Sequence, residues 1–193
     1  AAYHTPYHAA LQAELERVRD VHGVAILYDC HSIRSGIPFL FDGTLPDFNI
    51  GTNMGTTCAS GIEIAAQTVC NAASGYTSIT NGRFKGGWTT RHYGQPDKGM
   101  HAIQMELAQS TYLTAETSPW TFDDNKAAVL RPHLTSILTQ LAVLAPTIKV
   151  SVPRRLSKTN TSSARISKIT GDSKVPRLAN LANVGSTQRT VSK

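Results

Sequence analysis

The sequence predicts an α/β domain, with a buried sheet and helices packed against it. Three observations carry this. Residues 7–22 place Leu11, Leu15, Val18 and Val21 at helical spacing, and Gly23 follows where helices commonly end. Val24 to Tyr28 is then an apolar run long enough for one buried strand. Further on, His101 to Leu107 alternates apolar and polar side chains as a strand does, and a long helix with an apolar face comes after it.

The remaining elements fill in around these. Asp29-Cys-His31-Ser-Ile-Arg34-Ser is placed just past the first strand, at the strand end where open α/β sheets bind ligands. Residues 35–57, rich in Gly, Pro, Asp and Asn, read as a long loop, and such loops inside a domain are more often functional than idle. Residues 58–74 read as a helix bearing Ile62, Ala65, Ala66 and Val69, followed by a short strand from Tyr76 to Thr80. Asn81-Gly-Arg83-Phe-Lys85-Gly-Gly87 is a loop, and Trp88 to Thr90 reads as another short strand. The last helix is capped by Asp123 or Asp124, carries Leu130, Leu134, Leu138, Leu141 and Leu144, and closes at Pro146, with Pro132 as a kink or a later start.

Length and composition bound the function. The 193 residues show no internal repeat and suffice for one domain with a core. No apolar run approaches a membrane span, and no basic region followed by an apolar stretch opens the chain, so neither membrane insertion nor a secretory signal is expected. The first residue is not Met, which points to a fragment or a processed chain. Cys30, Cys58 and Cys70 are too few and too scattered for a disulfide framework or a thiolate zinc site, and a cytoplasmic setting fits them best.

The formal charge of +6 divides unevenly. Residues 1–146 hold nine Lys and Arg against twelve Asp and Glu, net −3, whereas residues 147–193 hold ten against Asp172 alone, net +9. We therefore expect a domain over 1–146 and a poorly ordered, basic, Ser/Thr-rich tail over 147–193. That tail has no aromatic residue to stack on bases, so a nucleic-acid arm is the weaker reading of it. No feature fixes an oligomeric state.

Three sets of residues carry candidate chemistry. Asp29-x-His31 pairs an imidazole, a good zinc ligand, with a carboxylate able to orient it; a buried histidine satisfied by its neighbours is the competing reading. Glu106 lies in an otherwise apolar strand, where desolvation would raise its pKa and suit it to moving protons, unless the alternation points it at solvent. Arg34, Arg83, Lys85 and Arg91 stand in Gly-rich loops, where guanidinium forks match carboxylates and glycine allows close approach. Together with the Asn81-Gly82 and Lys85-Gly86-Gly87 turns they point to a small anionic ligand, against the plainer reading of a solvated surface. His92 and His101 have no short His spacing and read as surface or hydrogen-bonding residues.

Several long strings, in order, resemble the N-formylglutamate amidohydrolases. They are Leu27-Tyr-Asp-Cys-His-Ser-Ile-Arg-Ser35, Pro38-Phe-Leu-Phe-Asp-Gly43, Leu45-Pro-Asp-Phe-Asn49 with Gly51-Thr52, Asn81-Gly-Arg-Phe-Lys-Gly-Gly87, Thr90-Arg-His-Tyr-Gly94, and His101-Ala-Ile-Gln-Met-Glu-Leu107 with Gln109 and Tyr112. Pro6-Tyr-His8 and its helix fit too, so the resemblance spans residues 1–146 and stops before the tail.

The resemblance implies a three-layer α/β/α sandwich similar to the zinc carboxypeptidases. It implies zinc-dependent hydrolysis of N-formyl-L-glutamate to formate and L-glutamate, the last step of a histidine degradation route. His31 becomes a zinc (Zn2+) ligand with Asp29 beside it, and Glu106 the general base. Arg91, Arg83, Arg34 and Lys85, with Asn81, become candidates for holding a small dicarboxylate substrate. The family's upstream Pro-His-Ser-Gly segment, which supplies a further zinc ligand, has no counterpart here. The resemblance therefore implies an incomplete copy, the C-terminal two-thirds of the family's domain, with the further ligand expected in the missing N-terminal region. The alternative is a non-catalytic protein that keeps the carboxylate-binding loops.

Overall fold

The computed structural model describes residues 2–148; the basic tail, from residue 149 on, lies outside the described residues. Helix α1 spans His4–His22 and ends at Gly23, whose φ of 77° is left-handed and whose N–H reaches Arg19 O. Strand β1 follows, Ala25–Ile33. It is longer than its apolar run, so Asp29 and His31 lie on the strand and not past it. The backbone ladder to the next strand runs on to Ile33, and main-chain pairing needs no apolar side chain.

A second strand, β2 (Phe48–Gly51), forms inside the segment read as loop. Phe48 and Ile50 are fully buried, but four residues are too few to show a period. Helix α2 is Ser60–Ala72, and strand β3 is Ser78–Thr80. Trp88–Tyr93 is a short helix, α3, and not the expected strand. Its Thr, Trp and Tyr favour strands on average, but packing of Thr90 and Tyr93 against the sheet decides the outcome. Strand β4, Met100–Ala108, is buried on both faces. Helix α4, Asp124–Leu144, starts at Asp123, whose carboxylate accepts the Asn125 and Lys126 N–H groups; Pro132 lies within the helix.

The sheet order is β1-β4-β2-β3. Strand β4 runs parallel to β1 and antiparallel to β2, and β2 is parallel to β3. Helices cover both faces. On one, Ile62, Ala66 and Val69 of α2 and Leu130, Ile137 and Leu141 of α4 pack on Phe48, Ile50, Ile103 and Met105. On the other, Leu15 of α1 and Tyr93 of α3 pack on Ala25 and Met100. The stretch Asp124–Thr147 is long and apolar enough to cross a membrane by length and composition, contrary to the sequence expectation; in this fold its buried stripe packs on α2 and the sheet.

Candidate active site

Strand register gathers the polar residues. Side chains alternate between faces, and residues paired across strands share a face. Asp29 pairs with Gln104 and His31 with Glu106 across β1 and β4. Asn49 pairs with Glu106, and Gly51 with Gln104, across β4 and β2. Two rows result, His31–Glu106–Asn49 and Asp29–Gln104–Gly51, on the face that α3 covers. The sequence anticipated Asp29, His31 and Glu106; Asn49 and Gln104 emerge only from the register.

These residues are bonded into one network. His31 Nε2 lies 3.0 Å from Asp29 Oδ1, and Thr90 Oγ1 is 3.4 Å from Asp29 Oδ2. Gln104 Nε2 donates to Glu106 Oε2 at 3.2 Å, and Gln104 Oε1 accepts the Gly87 N–H at 2.7 Å. Glu106 is 6% exposed and His31 47%. Burial pushes the Glu106 carboxyl above its ordinary range; His31 and the Gln104 amide pull it partly back, and Asp29 adds to the rise. Glu106 thus does not point at bulk solvent. Asn49 donates to Pro46 O and Glu106 O, pinning the turn before β2 to β4.

The cation loop is held over the end of β2. A Cβ on Gly51 would lie 2.5 Å from Gly86 N and 2.8 Å from Lys85 C, so glycine is needed there for the two backbones to touch. Asn53 N–H bonds Lys85 O at 2.5 Å; Arg91, expected in a loop, lies on helix α3, from which its Nη1 donates to Gly86 O at 2.7 Å. Arg83 donates to Leu40 O. Arg34 sits apart, lining a cavity of about 350 Å³ with Ser32, Ile37, Gln109 and Trp120.

Asn81 is an internal hub. Its Oδ1 accepts the Thr52 and Met54 N–H groups, and its Nδ2 donates to Thr52 Oγ1 and Glu63 Oε2. Glu63 also accepts from the Thr52 hydroxyl. Glu116 similarly ties Ser35 after β1 to Ser110 after β4. Nothing in residue type or spacing marks Glu63 or Glu116 for these tasks. Among the other histidines, His92 is exposed and stacks on Trp88 at 4.2 Å, and buried His101 accepts the Ala59 N–H.

The family model for N-formylglutamate amidohydrolase matches residues 1–113. The chain belongs to the N-formylglutamate amidohydrolase family. It is 52% identical over 136 residues to the N-formylglutamate deformylase of Pseudomonas putida, covering 70% of this chain and 51% of that one. The N-formylglutamate deformylase of Pseudomonas aeruginosa is 48% identical over 137 residues, 71% of this chain and 51% of its own length. This member of the family therefore spans about half the length of the curated relatives it matches. A crystal structure of N-formylglutamate amidohydrolase from Ralstonia eutropha JMP134 superposes with a TM-score of 0.61 at 24% identity, over 78% of this chain and 54% of that one. At that identity it speaks for the amidohydrolase fold alone.

A zinc site in this family can be tested on the donors present. A catalytic zinc uses three protein ligands and a water. His31 Nε2 and Asp29 Oδ1, 3.0 Å apart, suit two corners of one coordination sphere. Among the described residues no group of three His, Cys, Asp or Glu side chains is placed to hold a metal. The donor set fits a zinc site in part and does not complete one.

Proposed function

We propose that this chain carries the proton-transfer and carboxylate-binding part of a site that hydrolyses N-formyl-L-glutamate to formate and L-glutamate. The observation that supports it most is Glu106: a buried, hydrogen-bonded carboxyl with a raised pKa, one strand from the His31–Asp29 pair, in a chain about half identical to two named deformylases. In this reading Glu106 accepts a proton from the attacking water as oxygen bonds the formyl carbon. It then gives that proton to the leaving nitrogen as the C–N bond breaks. Gln104 holds the carboxylate in place. Zinc, held in part by His31 and Asp29, would supply a polarised carbonyl and a more acidic water.

Lys85 and Arg83, in the loop beside Gly51, and Arg91, on α3, bind the glutamate carboxylates, with Arg34 as a more distant candidate. Asn81 serves binding through the loop it braces. A cytoplasmic setting belongs to the same proposal. A second reading, binding without turnover, is favoured by the incomplete donor set.

The test is titration of N-formyl-L-glutamate by calorimetry. Arg91→Ala should weaken binding by about 1.5–3 kcal/mol, the loss of a charge-assisted pair. Wild-type-like affinity in Arg91→Ala would remove Arg91 from the site, and no binding by the wild type would remove the whole set of cations. This chain alone should release formate only near background; steady release that depends on Glu106 would mean that it completes the site by itself.

A further inference from the structure

Helix α1 opens with two histidines one turn apart, His4 and His8. Side chains four residues apart on a helix lie on the same face, one above the other. Here the two rings are neighbours, with centroids 4.3 Å apart. His4 is exposed and His8 half-buried, so solvent reaches both. Two imidazoles at this spacing can chelate one metal ion. Neither belongs to the polar network on β1 and β4.

Helix α3 supplies the setting. The Tyr93 side chain is 1% exposed, and its hydroxyl lies 2.6 Å from His8 Nδ1 and 3.3 Å from His8 O. The hydroxyl has one proton. Given to the His8 carbonyl, it leaves the oxygen free to accept from Nδ1–H, and Nε2 then keeps its lone pair. Histidines that bind metals are commonly held in this way, by a hydrogen bond through the second ring nitrogen. The Trp88 ring stands edge-on to His8 with centroids 4.8 Å apart, and its centroid is 6.5 Å from that of His4. Desolvation, and after it the neighbouring His4 and His92, lower the His8 pKa from its ordinary 6.5, so the ring is neutral at pH 7.

Among the described residues no third His, Cys, Asp or Glu joins the pair in a metal-holding group, so water would fill the remaining positions. Nitrogen and oxygen donors in that mixture suit copper(II), which also stands highest in the affinity order of the divalent ions, above nickel and zinc. We infer that His4 and His8 form a two-histidine site for copper(II), with Tyr93 orienting His8 and Trp88 beside the ion. The same pair holds zinc far more weakly. The site stands apart from the hydrolysis proposed above and does not depend on it.

The test titrates copper(II) into the full, untagged chain carrying Cys30→Ser, so that the metal meets no exposed thiol. One equivalent should bind and quench at least half of the Trp88 fluorescence, and the electron paramagnetic resonance spectrum should show nitrogen coupling from two imidazoles. The quenching should vanish in Trp88→Phe, although Trp120 remains. His4→Ala and His8→Ala should each weaken binding at least tenfold, and Tyr93→Phe at least threefold. His8→Ala also loses the bond to Tyr93; His4→Ala, at an exposed position, decides the matter if His8→Ala does not fold. His22→Ala, exposed at the far end of α1, and His31→Ala should leave binding unchanged. A tenfold excess of zinc should leave the copper in place. The inference would be overturned by no binding, by binding that survives His4→Ala or is indifferent to Tyr93→Phe, by binding lost in His22→Ala or His31→Ala, or by displacement with zinc.

Discussion

The Gln104 amide joins Glu106 to the cation loop: its Nε2 donates to Glu106 Oε2 at 3.2 Å while its Oε1 accepts the Gly87 N–H at 2.7 Å. One side chain thus fixes the orientation of the buried carboxylate and the position of the loop that precedes α3. The bond to Glu106 favours its charged form, which burial opposes. Gln104→Leu should therefore raise the Glu106 carboxyl further, as read by carbon-detected NMR titration. An unchanged or lower titration point would show that Gln104 does not govern the carboxylate.

Gly51 governs the loop from below. Gly51→Ala forces a Cβ against the Lys85–Gly86 backbone, where no flexible side chain can give way. Overpacking of this kind costs about 1–3 kcal/mol. Urea denaturation should show that loss, and calorimetry should show weaker N-formyl-L-glutamate binding. Wild-type stability and affinity together would mean that the loop contact is dispensable.

Much of this arrangement was legible in the sequence, for reasons that also mark where legibility ends. The long helices α1, α2 and α4 were readable because their apolar residues recur over three or more turns. Asp29 and His31 stood out as a carboxylate and an imidazole paired just past an apolar run, and Glu106 because a carboxylate within an apolar strand needs a reason. What escaped was set by pairing at a distance. The last residues of β1 and all of β2 are strands because β4 accepts them, and α3 is a helix against its local preference. Gln104 looked like the polar half of an alternation until the register set it beside Glu106. Asn81 drew notice as a turn residue, and only the fold shows its amide bonded to Thr52, Met54 and Glu63.

His101 makes stability depend on pH. It is 2% exposed, and burial lowers its pKa below the ordinary 6.5. The unfolded chain therefore takes up this proton at higher pH than the folded one. The stability that His101 contributes is present above about pH 6.5 and is lost as pH falls through the depressed folded value, with a limiting slope of about 1.4 kcal/mol per pH unit. Denaturation curves between pH 7 and 5 should show this decline, and His101→Gln should flatten it. Parallel curves for the two proteins would assign the acid sensitivity elsewhere.

The donor count gives the central account its most direct test. In the proposed site His31 and Asp29 would supply two ligands where hydrolytic zinc sites use three, and Glu106, proposed to move protons, should not be a tight third. Zinc titration of the chain by calorimetry, with formate release from N-formyl-L-glutamate followed in parallel, reads both halves of the claim. The account predicts zinc binding weaker than about micromolar, lost in His31→Ala, with formate release near background. Stoichiometric sub-micromolar zinc with steady turnover, or zinc binding that survives His31→Ala, would contradict it.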